Sequence, residues 1–167
     1  RRSHLSSRKL RVGTTSCMPP NGETRCHGSS CPIRCKRVVE VDDPEIQVDP
    51  LYGGPEYEAL AAFGSYCGVD DLKAVARANQ LCNMYGMDTI SCGGTIAWAM
   101  ECFEKGLIST KETGGIEIRF GNPEAIIEIL PRIAKKEGFG GILAEGSRRA
   151  AELIGQNAGD YAMQVKG

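Results

Sequence analysis

Nowhere in the 167 residues do apolar side chains run together for the roughly 18 positions that a membrane-crossing helix needs, so no membrane partner is expected. An apolar signal core is also missing from the opening RRSHLSSRKLRVGTTSC. Secretion is therefore unsupported, and a cytoplasmic location is expected. Charge of one sign is missing as well: 20 Lys and Arg stand against 21 Asp and Glu, a formal net charge of −1. That balance argues against a nucleic acid partner. Residues 1–25 are locally basic, but no aromatic side chains interleave with those charges, as a strand-binding arm would require. No internal repeat and no low-complexity tract is visible. An initiating Met is absent too, and the chain is expected to be a piece of something longer.

What is present is ordinary globular material: 41% apolar and 25% charged residues, enough for a core. Eight cysteines stand out. A core of this size does not need disulfide staples, and nothing points to an oxidising compartment. Cys67, Cys82, Cys92 and Cys102 fall in periodic, helix-like sequence and read as small buried hydrophobes.

The fold class expected is mainly α: a multi-helix domain with short strands and an irregular N-terminal segment carrying a cysteine cluster. Residues 1–25, with Pro19 and Pro20 adjacent, read as irregular or mobile. Residues 26–54 read as a cysteine-cluster loop and connector, with VVEV (38–41) as a short strand. Residues 55–167 read as a helical domain. Helices are predicted from Pro55 to Cys67 and from Asp70 to Tyr85, the second capped by Asp70 or Asp71 and stopped by Gly86. A third, from Asp88 to Lys105, is apolar nearly all round and is predicted to be the central buried helix. Gly93 and Gly94 inside it cost about 1 kcal/mol each relative to Ala, which points to close packing or an approaching ligand. GIEIRFG (115–121) alternates like a strand. Asn122-Pro123 opens a fourth helix, kinked at Pro131 and ending at Gly138, and a fifth covers Gly141 to Gly155. The tail DYAMQVKG is predicted to be extended.

Three stretches carry candidate chemistry. Cys26, Cys31 and Cys35 set three soft ligands on one tight loop beside Arg34, Lys36 and Arg37. A structural zinc site would show a second C-x2-C pair downstream, and none is present. A compact cysteine run with a distant fourth ligand suits an iron–sulfur cluster. Spacing favours iron–sulfur over zinc and zinc over free thiols. In GGPEYEAL, Glu56 and Glu58 open a helix after a Gly-rich loop. They serve either as compensation of the helix dipole or as a carboxylate for proton transfer. NMYGMDTIS (83–91) is either a plain corner between two helices or a pair of helix ends that grip a polar cofactor.

Taken in order, CPIRCKR, GGPEYEAL, LCNMYGMDTIS, AMECFEKG, LAEGSRRAAE and AMQVKG resemble the aldehyde:ferredoxin oxidoreductase family, over roughly Cys31 to Gly167. The resemblance implies a tungsten (or molybdenum) bis-pterin centre and a nearby [4Fe-4S] cluster. It implies oxidation of an aldehyde with water to a carboxylic acid, two electrons passing to ferredoxin, and it leaves a homo-oligomer open. It assigns Cys31 and Cys35 to the cluster, with Cys26 as third ligand at a spacing two residues longer than the family's. It makes Glu58 the proton-transferring carboxylate near the metal. Asn83, Gly86, Met87 and Asp88 match a pterin-binding D-x-x-G-L-D motif, with Asn83 in place of the first acid. Arg77 and Gln80 stand where some members carry an interface-metal E-x-x-H, so no metal is expected there. The family's second pterin motif, fourth cluster cysteine and upstream pterin platform fall outside the matched stretch, so the isolated chain is expected to be catalytically silent. One rival reading is a non-catalytic helical interaction module with a zinc or thiol clip. Another is a family member acting on a different substrate, such as an aromatic thioester.

Overall fold

The computed structural model describes residues 9–14 and 37–164, the former as backbone only. Strand β1 (Lys9–Thr14) pairs antiparallel with β2 (Arg37–Asp42), and β2 with the short β3 (Gln47–Val48). VVEV is thus a strand, as its β-branched residues predict. Part of the stretch expected to be irregular, Lys9–Thr14, is also a strand. Its KLRVGT sequence has too short an apolar alternation to announce itself, and its ladder partner lies more than twenty residues away.

The helices follow as α1 (Tyr57–Leu60), α2 (Leu72–Tyr85), α3 (Thr89–Glu104), α4 (Pro123–Lys135), α5 (Phe139–Leu143) and α6 (Gly146–Ile154). Their starts obey capping chemistry. The Asp71 carboxylate accepts the Lys73 and Ala74 N–H groups, Asp88 accepts that of Ser91, and Asn122 that of Ala125. Helix α3 is central: Ile96, Ala99, Met100 and Cys102 are fully buried, and Trp98 Nε1 donates to the Ala158 carbonyl at 3.0 Å. Helix α2 holds the sheet. Its Ala76 joins Val39, Val41 and Val48 in a small second core, and Lys73 pairs with the buried Asp43 at 2.7 Å.

Five local expectations change. The first predicted helix is α1 followed by a π-helical turn over Ala61–Ser65, with Tyr66 N–H bonding the Ala61 carbonyl and Val69 N–H that of Gly64. GIEIRFG alternates in burial, with Ile116 and Ile118 inside, but it pairs with no strand among the described residues. The Thr113 hydroxyl, Asn122 side chain and Gly121 N–H hold it instead. The predicted fifth helix is two, α5 and α6, parted at Gly146, whose φ of 82° no right-handed helix accepts. Part of the expected extended tail is a 3-10 turn, Ala158–Tyr161. Helix α4 runs on through Pro131 and stops at Lys136 in the left-handed region, two residues short of Gly138.

The two glycines of α3 have different reasons. A Cβ on Gly93 would lie 2.6 Å from Ala62 Cβ and 2.9 Å from the Ala62 carbonyl oxygen, so this glycine lets the π turn seat on α3. A Cβ on Gly94 would meet nothing within 4 Å. Gly93→Ala should therefore destabilise the chain by roughly 1–3 kcal/mol through overpacking. Gly94→Ala should be neutral or stabilising by up to about 1 kcal/mol through helix propensity. Urea midpoints of the two variants check this, and equal midpoints would contradict the packing assignment.

Candidate functional site

The corner between α2 and α3 is built from two helix ends back to back. Gly86 closes α2 with φ 69°, and Met87 N–H reaches back to the Cys82 carbonyl at 2.9 Å, the six-to-one bond of a glycine-terminated helix. Met87 packs on the core, and Asp88 begins α3 at once. Asn83, Gly86 and Asp88 are exposed. Open space surrounds the place where a Gly86 Cβ would stand.

Asp88 Oδ2 accepts the Ser91 N–H at 2.7 Å. Ser91's hydroxyl and N–H, then the Ile90 N–H, hold the Asp88 carboxyl below the usual carboxylate range. Asp88 therefore enters a site as a fixed anion at neutral pH.

Glu58 lies in the first turn of α1, exposed, with no hydrogen bond or ion pair to its carboxylate among the described residues. The Gly53-Gly54-Pro55 segment before it is buried, and Gly53 turns with φ 71°. Two side chains of α2 fix what precedes that turn. Gln80 Oε1 accepts the Asp49 N–H at 2.9 Å, and Asn83 Nδ2 donates to the Tyr52 carbonyl at 3.0 Å. The structure thus ties the corner to the segment that launches α1, and α1 packs on α3. An aspartate at position 83 could not donate to a carbonyl; the amide can. This tether is what sequence reading missed, because its acceptor is a main-chain oxygen with no signature of its own.

Arg77 Nη1 donates to the Gln47 carbonyl at 3.2 Å, so both residues at the E-x-x-H positions are spent on neighbouring backbone. Cys26, Cys31 and Cys35 lie outside the described residues, between β1 and β2 in the chain. Of the later cysteines, Cys67, Cys82 and Cys102 are buried as expected, and burial pushes the Cys67 thiol up to about 12 and Cys102 to about 11. Cys92 departs from that expectation and is half-buried.

A family model described as aldehyde ferredoxin oxidoreductase, domains 2 and 3, matches residues 15–167. The chain belongs to the aldehyde ferredoxin oxidoreductase family. It is 46% identical over 140 residues to a tungsten-containing aldehyde ferredoxin oxidoreductase of Pyrococcus abyssi, covering 82% of this chain and 22% of the relative. It is 32% identical over 145 residues to an aliphatic sulfonate oxidoreductase WOR-like subunit of Pyrococcus furiosus, with the same coverage. Among solved structures it is similar to the active site complex of benzoyl coenzyme A reductase in complex with 1,5-dienoyl-CoA. That match has a TM-score of 0.64 and 29% identity over 80% of this chain and 19% of the other. The chain spans about a fifth of the length of these relatives.

Family membership implies a tungsten pterin, and the corner suits one. A pterin presents ring and amino N–H donors together with acceptors, and the corner offers the Asp88 carboxylate and a glycine that leaves room for approach.

Asp88 also stabilises the fold as a cap, and its lowered pKa sets the pH at which that contribution disappears. The charged form's contribution is complete above the unfolded carboxylate range and is lost as pH falls through the lower folded value. At neutral pH Asp88→Ala should cost about 1 kcal/mol. Asp88→Asn keeps a capping oxygen, so the stability gap between wild type and this variant should narrow as pH drops below about 4. Urea unfolding across pH measures the gap; a constant gap down to low pH would refute the assignment.

Proposed function

We propose that this segment supplies one wall of the catalytic centre of a tungsten-pterin oxidoreductase that converts an aldehyde and water to a carboxylic acid, two protons and two electrons. The observation that carries the reading is the tether between the pterin-motif corner and the segment that presents Glu58. It sets a carboxylate unpaired among the described residues and a cofactor-suited corner on one scaffold. The bound metal pterin would supply the two-electron oxygen-transfer chemistry. Asp88 would hold its pterin ring, with Gly86 giving access and Met87 anchoring the corner in the core. Asn83 would act at one remove, by fixing the Tyr52 carbonyl.

Glu58 would accept the proton released as water or a hydrated aldehyde reacts, and pass it towards solvent. Among the described residues no hydrogen bond or ion pair holds that carboxylate, so taking the proton breaks no structural bond there. Cys26, Cys31 and Cys35 would contribute three ligands to a [4Fe-4S] cluster that carries the electrons to ferredoxin, and Arg34, Lys36 and Arg37 would offset its negative charge. Large apolar side chains are exposed on these same segments: Leu51, Tyr57, Met84, Tyr85 and Ile90. Such exposure suits a face that the rest of the enzyme covers.

A second reading keeps the site and changes the substrate. A relative named as an aliphatic sulfonate oxidoreductase subunit and a structural neighbour that is a benzoyl coenzyme A reductase complex support this reading. Turnover of an aldehyde, a sulfonate and an aromatic thioester by the intact enzyme separates the two.

In the intact enzyme, Glu58→Gln should lower aldehyde-dependent viologen reduction by roughly 10²–10⁴-fold, the usual share of a general acid–base group. Tungsten and iron content should be unchanged. An unaltered rate would remove Glu58 from proton transfer, and loss of metal would recast it as a structural residue.

A further inference from the structure

Helix α2 carries a polar stripe, Lys73, Arg77, Gln80 and Asn83, at helical spacing. Each member bonds the chain that leads from β2 to α1. Lys73 reaches Asp43, Arg77 the Gln47 carbonyl, Gln80 the Asp49 N–H and Asn83 the Tyr52 carbonyl. We infer that Gln80, which lies outside the pterin motif, positions Glu58 for proton transfer by holding the first main-chain group beyond the end of the sheet. Gln80 acts here as a positioning residue, on the reading of Glu58 as the proton acceptor.

The β2–β3 ladder ends at Val48, the partner of Val41. The next main-chain N–H is that of Asp49, and Gln80 Oε1 accepts it at 2.9 Å. Gln80 is buried, so water competes weakly for this bond, whereas Asn83 holds the Tyr52 carbonyl at an exposed position. The other end of the Gln80 amide is engaged too: Nε2 donates to Met84 Sδ at 3.5 Å, one turn further along α2. The amide is thereby held with its oxygen towards Asp49.

From Asp49 the chain has little slack before Glu58. The Asp49 carboxylate accepts the Leu51 N–H at 2.8 Å. A 3-10 turn follows over Pro50–Tyr52, with Tyr52 N–H on the Asp49 carbonyl and Gly53 N–H on that of Pro50. Pro50 and Pro55 fix their own φ, and Gly53, Gly54 and Pro55 are buried. Glu58 lies in the helical turn that begins directly after. A shift at Asp49 therefore passes to the Glu58 carboxylate instead of being absorbed by the connector. Arg77 lacks that leverage, because Gln47 is already paired with Asp42 in the ladder.

In the intact enzyme, Gln80→Met keeps the length and helix propensity of the side chain and removes the amide. It should lower kcat for aldehyde-dependent viologen reduction by roughly 10- to 100-fold, as a displaced catalytic group does, with KM within about 2-fold of wild type. Tungsten and iron content should match the wild type. In a Glu58→Gln background the same change should cost less than about 2-fold, because the group it positions is already gone. Arg77→Met should leave kcat within about 2-fold of wild type, since it acts on a residue the ladder already holds. Four results would overturn the inference and leave the reading of Glu58 standing: an unchanged kcat or a loss of metal in Gln80→Met, an undiminished loss in the Glu58→Gln background, or an equal loss in Arg77→Met. A Glu58→Gln enzyme as fast as wild type would overturn both.

If Gln80→Met does not fold, Asp49→Pro deletes the same bond from the donor's side. The Asp49 φ of −82° suits proline, and Val48 before it is already in a strand. Asp49→Ala, which keeps the N–H and loses only the carboxylate that caps Leu51, is its reference. Asp49→Pro should be slower than Asp49→Ala by the same factor of about 10 to 100. Equal rates for the pair would overturn the inference.

Discussion

Everything at the site depends on how closely the π turn after α1 can approach α3. The approach is possible because position 93 has no side chain: a single Cβ there would lie 2.6 Å from Ala62 Cβ. The buried Cys67 thiol reinforces the contact by donating to the Ala62 carbonyl at 3.3 Å, with the Gly93 carbonyl at 3.8 Å. A π turn spaces its carbonyls differently from an α-helix, and here one of them is satisfied by a thiol. The Cys67 carbonyl in turn accepts the Gly121 N–H at 2.8 Å, which carries the contact into the segment leading to α4. The result is that α1, which bears Glu58, and α3, which begins at Asp88, behave as one body.

Helix α2 is the second fixed point. One part of it grips the sheet through Lys73, Ala76 and Arg77, and its later turns grip residues 49–52 through Gln80 and Asn83. Its C-terminal end is the corner itself. The cysteine run immediately precedes β2 in the chain, one of the two strands this helix supports, so one rod of helix links that strand to the candidate pterin contact. Such a linkage places few demands on loops, which is consistent with a long exposed corner tolerating Met84, Tyr85 and Ile90 at its surface.

Much of this was legible in the residues because it is local. Asp71, Asp88, Asn122 and Gly86 announce helix ends through chemistry that acts over three or four positions, and each performs that role. The all-round apolar sequence of α3 correctly marked it as the central helix. What was not legible is non-local. β1 depends on a partner across the cysteine run, GIEIRFG has the alternation of a strand but no partner strand among the described residues, and the break at Gly146 needs a φ that helical periodicity does not encode. At the site, the motifs gave Glu58, Asn83, Gly86, Met87 and Asp88. They did not give Tyr52 as the acceptor for Asn83. That is a contact between residues whose identities alone carry no pairing rule. The assignment of Cys26, Cys31 and Cys35 falls outside the described residues and rests on sequence.

The central claim is that the Asp88 corner holds the pterin by its charge and not merely by its shape. Replacing Asp88 with serine separates the two, because serine caps a helix nearly as well as aspartate but carries no carboxylate. The decisive measurement is the pterin content of the intact enzyme carrying Asp88→Ser, by fluorescence of the released, oxidised cofactor, alongside its unfolding midpoint. The account predicts a near-normal midpoint with pterin well below the wild-type level. A full complement of pterin in a normally folded variant would contradict it.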